Sequence, residues 1–363
     1  MRLSLVSLVT DLEIRASLAH EALLGASELG GRRDSAIAAV EHVRTEARRL
    51  LGEDLLGSPE TFYAEYSALT QSLYERESLE LPFLIHHGAD AARSTRLCAE
   101  LLGDVNWPYA PLLISTFSTD YYWTHPKWGV IAVPCGEERR LLGIPDLCHE
   151  LGHTVYDKDD TRLLGDFLIE LSAELRRLTD PAAAAREPSS KQNLTEVFYS
   201  WKDAWLQEFV CDLIATYLIG PAFPRQHARL RAMTQPPVSH YSLTLEGTHP
   251  ADHARMLVCL RLLARLGLEE EAEGLQKIWA EMLAAGGETC PPYFDTYFPP
   301  VCLDLLVERV YEGCAALGLR AYDADADIPR LINDAWRRFA SEPQGYAAWE
   351  AQTLNRLWRE WGL

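Results

Sequence analysis

The segment 148–153, C-H-E-L-G-H, constrains the fold more than any other, because it contains the pattern H-E-x-x-H. On a helix, His149 and His153 project from one face, since residues four apart lie one turn above each other. Two imidazoles on one face can reach a single tetrahedral cation, and Glu150 then lies beside the open coordination position. The pattern therefore predicts a zinc-binding helix.

The residues around this pattern also favour a helix. Pro145 suits a first helical position, and Asp146 in the first turn complements the helix dipole. Leu147, Leu151 and Val155 repeat every four residues, which is typical of a buried stripe. The alternative is a helix with two partly exposed histidines and no metal.

Two carboxylates on a later helix complete the predicted site. In the predicted helix 193–218, Trp201, Trp205, Glu208 and Asp212 share one stripe. The tryptophans indicate that this stripe is buried, and a buried carboxylate needs a cation. We predict that Glu208 is the third zinc ligand and that Asp212 accepts a hydrogen bond from the far ring nitrogen of a ligating histidine. The alternative is two acids that only solvate a helix face.

The order of these motifs resembles known peptidases. H-E-x-x-H followed by E-x-x-x-D on a later helix looks like the gluzincins, the zinc metallopeptidases typified by thermolysin. Thr248-His249-Pro250, with Arg255 five residues after the proline, resembles the T-H-P-x-x-x-x-R segment of the CaaX prenyl endopeptidase family and its soluble relatives. The resemblance covers residues 129–265 and implies peptide hydrolysis. Membrane placement and prenylated substrates are not carried over, because the chain lacks that family's transmembrane helices.

Geometry and resemblance together predict how the site works. His149, His153 and Glu208 hold one zinc ion per chain, with a water in the fourth position. Glu150 acts as general base and takes a proton from that water, while the metal polarises the scissile carbonyl.

A hydrogen-bond donor should also stabilise the negative charge that develops on the carbonyl oxygen. His249 is the predicted donor, because it precedes a helix and matches the T-H-P segment, whereas His253 lies within that helix. Tyr241 is the fallback donor. Arg255 is predicted to anchor the turn, as a supporting residue around the ligands together with Asp212.

Short aromatic and β-branched segments predict a small sheet before the metal helix. Strands are expected at 112–117, 121–124 and 128–133, with 124–127 as a turn. An edge strand beside a metal can pair with an extended peptide. We assign this substrate-aligning role to Gly129, Val130, Ile131, Ala132 and Val133; the alternative is a sheet that only supports the helix.

Periodic apolar residues predict helices through 1–105 and again through 266–363. The expected fold is therefore α+β and predominantly α, with the small sheet next to the zinc-binding helix pair. Three regions are predicted: an N-terminal helical region at 1–105, a zinc metallopeptidase core at 106–265 and a C-terminal helical region at 266–363.

Charge and cysteine content limit the possible partners. The net charge of −19 argues against nucleic acid, which needs a basic face. The eight cysteines form no C-x-x-C pair, which indicates reduced thiols and a cytoplasmic protein. Cys148 and Cys211 adjoin the site but are interpreted as small core residues. The first ten residues do not resemble a signal peptide, and no apolar run is long enough for a membrane span.

The sequence thus predicts a zinc metallopeptidase, a hydrolase that acts on a peptide or protein. One alternative is a non-catalytic, zinc-stabilised interaction protein whose flanking helices bind a protein partner. Another is a latent protease that a partner activates. Glu150 favours an enzyme, because ligation does not require it.

Overall fold

A computed structural model of the chain describes residues 2–26, 31–52, 59–76, 81–85, 89–110, 112–116, 118, 122–125, 129–134, 137, 140–178, 189–232 and 249–363. This part is predominantly helical with one small sheet, which confirms the predicted fold class. The chain divides into two compact units, Met1–Ala92 with Ser115–Thr119 and Arg93–Ile114 with Asp120–Leu363. None of the helices described is long and apolar enough to cross a membrane.

The described residues of the first unit form four helices: α1 (Arg2–Leu24), α2 (Arg32–Gly52), α3 (Pro59–Glu75) and α4 (Leu81–Ile85). Small residues line the contact between α1 and α2, since Ala16 and Ala36 are both fully buried. Leucine and valine side chains from all four helices complete a separate apolar core.

The second unit carries the predicted site. The boundary between the units crosses α5 (Ala89–Asp104). The other described helices belong to the second unit: α6 (Ile144–Leu164), α7 (Phe167–Leu178), α8 (Ser189–Ser200), α9 (Leu206–Ile219), α10 (Ala222–Ala232), α11 (Asp252–Arg265), α12 (Glu269–Ala285), α13 (Phe294–Tyr297), α14 (Pro300–Ala316), α15 (Asp327–Ser341) and α16 (Pro343–Glu360). One apolar core joins α6 and α9 to the C-terminal helices. The three-region division at residues 105 and 265 stays a prediction.

Two predicted helices differ from the structure. The amphipathic pattern of residues 161–178 predicts one helix. The structure breaks it at Gly165, whose φ of 50° ends α6 in a conformation that favours glycine. The helix expected at 193–218 consists of α8 and α9 joined by a π-helical turn, Trp201–Trp205. A π-helical turn changes the direction in which the following side chains project, and such turns are frequent at functional sites.

Aromatic side chains fix this π-helical turn in the core. Trp201 and Trp205 are fully buried, as the sequence predicted, and both contact Phe298. The Trp201 indole N–H also donates to the Tyr297 carbonyl at 2.9 Å. The turn that leads into α9 is therefore held by α13 and its neighbours.

The C-terminal helix α16 supports the start of α6. A short 3₁₀ helix, Leu141–Gly143, leads directly into α6. The buried Glu350 carboxylate accepts hydrogen bonds from the Leu141 backbone N–H at 2.7 Å and from the Tyr346 hydroxyl at 2.6 Å. The entry to the predicted metal helix is thus tied to the end of the chain.

The sheet contains β1 (Leu113–Ser115), β2 (Trp123–His125) and β3 (Val130–Ala132), in the order β1-β3-β2. Thr124 lies within β2, as the predicted strand 121–124 requires, and His125, predicted only as part of a turn, also lies within β2, which pairs antiparallel with β3. Ile131 packs with Leu147 and Leu151 of α6, so the sheet supports the metal helix.

The sheet order corrects one prediction, the substrate-aligning strand at Gly129, Val130, Ile131, Ala132 and Val133. A strand that receives a peptide must lie at an edge of the sheet, whereas β3 is central. It pairs with β2 on one side, and Gly129 accepts a hydrogen bond from Leu113 on the other at 3.0 Å. The edge strands of the sheet are β1 and β2.

Helices α6 and α9 approach closely at Gly152. A Cβ atom added there would lie 2.6 Å from the Cys211 Cα atom, which is shorter than any ordinary contact. The absence of a side chain at Gly152 therefore permits the spacing that brings the predicted ligands together.

We expect Gly152→Ala to lower the free energy of unfolding by about 1–3 kcal/mol, the usual cost of overpacking a core. The matched control is Gly274→Ala in α12, where an added Cβ meets nothing within 4 Å. That change should raise stability by about 0.5–1 kcal/mol, because alanine favours a helix over glycine. Chemical denaturation measures both. Equal stabilities of the two variants would contradict the close approach of α6 and α9.

Candidate metal centre

Helices α6 and α9 face each other across the predicted site. They border a cavity of about 300 Å³, which is lined by Tyr122, Trp123, Thr124, His149, Glu150, His153, Gln207, Glu208 and His249. The structure therefore brings together the predicted ligands, the predicted base and the predicted donor: His149, His153, Glu208, Glu150 and His249. The strand that borders the cavity is β2, through Trp123 and Thr124, and not β3.

The two ring nitrogens of His149 have different surroundings: Nδ1 contacts Asp212, and Nε2 faces the cavity. Its Nδ1 lies 2.9 Å from Asp212 Oδ1, and its Nε2 lies 3.4 Å from Glu208 Oε2. The ring also stacks on Phe223, with centroids 6.0 Å apart. Burial lowers the pKa of His149, but the hydrogen bond with Asp212 and the contact with Glu208 outweigh it and raise the pKa to about 10. Carboxylate support of this kind orients metal-binding imidazoles.

Asp212 connects His149 to Arg255. Arg255 donates two hydrogen bonds to the two carboxylate oxygens of Asp212, each at 2.7 Å, and its Nη2 lies 3.8 Å from Glu208 Oε2. Burial raises the pKa of the Asp212 carboxyl, but the opposing effects of Arg255 and His149 are larger. The pKa is therefore lowered, and the group remains ionised. The residues predicted to support the ligands thus lie directly behind His149.

His153 has a different partner. Its Nε2 lies 3.8 Å from Glu208 Oε1, and its Nδ1 lies 3.0 Å from Gln207 Nε2. Burial and the neighbouring His149 lower the pKa of His153 to about 4, so its ring is neutral at pH 7. The Nδ1 atoms of both histidines are therefore engaged, while both Nε2 atoms face Glu208.

The sequence did not point to Gln207. Consecutive helical residues project about 100° apart, so the residue before Glu208 was expected to face elsewhere. The π-helical turn that ends at Trp205 leads directly into this pair of residues. No feature of the sequence marks that turn.

Glu208 is a buried carboxylate with an unsatisfied oxygen. The residue is 8% exposed, and Oε2 accepts no hydrogen bond within the described part of the chain. Burial raises the pKa of Glu208, but contacts with His149 and Arg255 lower it to about 2, so the carboxylate is ionised. Nitrogen atoms of His149 and His249 at 3.4 Å and of Arg255 at 3.8 Å approach this oxygen without a hydrogen bond. The carboxylate therefore lies where a cation could bind.

Cys211 provides a second possible ligand set. Single ligand atoms of His149, His153 and Cys211 lie within 4.8 Å of one another, so these three residues could hold a metal ion. Burial, with the carboxylates of Glu208 and Glu150 nearby, raises the pKa of the Cys211 thiol well above its usual value. Ligation needs a thiolate, so this neutral thiol would first have to lose its proton.

Glu150 lines the same cavity and is 7% exposed. Burial raises the pKa of its carboxyl, and although His149 opposes this, the pKa reaches about 7. A carboxyl group with this pKa both accepts and releases a proton near neutral pH.

His249 and His253 are separated as the sequence predicted. His249 precedes α11 and its Nε2 lies 3.4 Å from Glu208 Oε2, whereas His253 lies within α11. His253 accepts a hydrogen bond from the Trp279 indole N–H at 2.8 Å and does not line the cavity. Tyr241, the fallback donor, lies outside the described residues.

No family model, curated protein or solved structure matches this chain. The likeness to the gluzincins and the CaaX endopeptidases therefore stays a resemblance of motifs. Any assignment of function depends on the geometry of the site.

Proposed function

We propose that the chain is a zinc-dependent peptidase that hydrolyses peptide bonds in the cavity bordered by α6, α9 and β2. One observation carries the proposal: Glu150 shares this cavity with two imidazoles and the unsatisfied Glu208 carboxylate. A site that only binds a metal has no use for an additional buried carboxyl group. Metal-assisted hydrolysis needs one, as the proton acceptor.

His149, His153 and Glu208 are the proposed zinc ligands. The Nδ1 atoms of both histidines are engaged, so a metal would bind their Nε2 atoms in place of the protons that these carry, and both face the Glu208 oxygens at 3.4 and 3.8 Å. Catalytic zinc sites typically use three such nitrogen and oxygen ligands. When bound, zinc would supply Lewis-acid chemistry to a water and to the substrate carbonyl.

The chain's own groups account for the proton transfers. Glu150 accepts a proton from the attacking water as the water oxygen bonds to the carbonyl carbon. It then passes the proton to the leaving amine as the carbon–nitrogen bond breaks. The His249 Nε2–H donates to the carbonyl oxygen as negative charge develops there.

A second candidate function is a structural metal site in an interaction protein. The observation in its favour is the position of Cys211, which with His149 and His153 could hold a metal ion. Glu208 would then be a fourth ligand. Four protein ligands would close the coordination sphere, as in structural zinc sites. The two functions differ in what Cys211 contributes to metal binding.

We expect Cys211→Ala to retain about one equivalent of zinc per chain, and His149→Ala to lose it, because three N/O ligands suffice in a catalytic site. Glu208→Gln should weaken binding, because an amide is a poorer ligand than a carboxylate. Elemental analysis and chelator competition measure these effects. Loss of zinc in Cys211→Ala, with retention in Glu208→Gln, would favour the structural site.

We expect Glu150→Gln to keep the metal and the fold but to abolish hydrolysis, since an amide cannot accept the proton of water. Cleavage profiling with a peptide library compares this variant with the wild-type protein, and zinc content serves as the control. Equal cleavage by both proteins would refute the role of Glu150. Cleavage by neither protein would favour the structural site or a latent enzyme.

The two histidines near α11 should respond in opposite ways. His249→Ala should retain zinc and lower kcat by about 10²–10³, the usual cost of losing one oxyanion donor. His253→Ala should leave kcat unchanged but lower stability, because the buried Trp279 N–H loses its acceptor. Steady-state kinetics and thermal unfolding of both variants measure this contrast. Zinc loss in His249→Ala would contradict it.

A further inference from the structure

The contact between Gln207 and His153 determines where the His153 ring carries its proton. The Gln207 amide nitrogen lies 3.0 Å from His153 Nδ1. An amide NH₂ group only donates, and the Glu208 carboxylate that Nε2 faces only accepts, so both contacts fit a ring with Nδ1 bare and the proton on Nε2. That Nε2–H faces Glu208 Oε1 at 3.8 Å.

A metal requires the opposite arrangement. A ligating imidazole offers one bare nitrogen to the metal and donates the N–H of its other nitrogen to an acceptor. His149 meets this condition, because the Asp212 carboxylate beside its Nδ1 can only accept. His153 does not meet it while the Gln207 amide donates to Nδ1.

Gln207 can become an acceptor without changing its position. The two ends of a side-chain amide have nearly the same shape, and rotation about its terminal bond is roughly two-fold. A half-turn places Oε1 where Nε2 lies and lets Nδ1–H donate to it. His153 Nε2 then has a free lone pair directed towards Glu208.

We propose that Gln207 is a positioning residue that sets the tautomer of His153, donating to Nδ1 in the metal-free protein and accepting from Nδ1–H when a metal is bound. The inference rests on the metal site of the proposed function but not on peptide hydrolysis. It makes the two histidines unequal: the partner of His149 Nδ1 is always an acceptor, whereas the partner of His153 Nδ1 becomes an acceptor only when the amide turns.

Two variants of the full chain test this inference. Gln207→Glu replaces the amide with a group of similar shape that only accepts, and Gln207→Leu removes the hydrogen bond. Gln207 is half-buried, so both chains should fold, and circular dichroism checks this. The readouts are the ¹⁵N chemical shifts of the His153 ring and the zinc dissociation constant from chelator competition, with His149 as the internal reference.

In the wild-type protein, the His153 proton should move from Nε2 to Nδ1 when zinc is added, while the His149 proton is on Nδ1 in the loaded protein. In Gln207→Glu, it should occupy Nδ1 before zinc is added, and zinc should bind about 10-fold more tightly. In Gln207→Leu, zinc should bind about 10–100-fold more weakly, the usual effect of removing a partner of a ligand.

The ring shifts separate this inference from a simple charge effect. Added negative charge alone would tighten zinc binding in Gln207→Glu but leave the metal-free proton on Nε2, and that result would overturn the proposal. An unchanged His153 tautomer on zinc addition to the wild-type protein would also overturn it. A tautomer change without any peptide cleavage would support this inference and refute the peptidase.

Discussion

The candidate metal centre depends on the buried ion pair between Asp212 and Arg255. Asp212 is fully buried in α9, where it accepts two hydrogen bonds from Arg255 of α11 and one from His149 of α6. One carboxylate therefore fixes three helices and the orientation of one imidazole. Removal of either partner of such a pair typically costs about 3–5 kcal/mol, because the other charge stays buried. The pair also keeps Asp212 ionised, and an ionised Asp212 can only accept the His149 Nδ1–H.

Packing supplies the precision that this ion pair requires. Gly152 lets α6 approach the α9 backbone at Cys211, and Ile131 supports the opposite side of α6 from the central strand of the sheet. The buried tryptophans of the π-helical turn, Trp201 and Trp205, hold the start of α9 against the core. Close-packed elements of this kind hold side chains more precisely than loops do. The centre is consequently built on two helices and not on connecting segments.

Local periodicity explains which parts could be predicted from the sequence. His149, Glu150 and His153 follow from helical spacing alone, and the burial of the stripe with Glu208 and Asp212 follows from its tryptophans. The strand order could not be predicted, because it depends on pairing between distant segments. The break at Gly165 and the π-helical turn are decided by a few residues whose types also occur inside regular helices. Gln207 was missed because it does not belong to the stripe of Glu208 and Asp212, whereas the cavity is lined by both Gln207 and Glu208.

The charges of the centre relate Glu150 to the proposed metal. In the structure, the raised pKa of His149 gives its ring a positive charge, which with Arg255 balances the ionised Glu208 and Asp212. A divalent cation that displaced the His149 proton would leave one positive charge in excess. An ionised Glu150 supplies the missing negative charge within the same cavity. The cation would therefore favour the ionised form of the carboxyl group that burial disfavours, and this is the form that accepts a proton from water. An ionised carboxylate at the buried position of Glu150 would be costly without a positive charge nearby. A cation held by the two histidines would offset that cost.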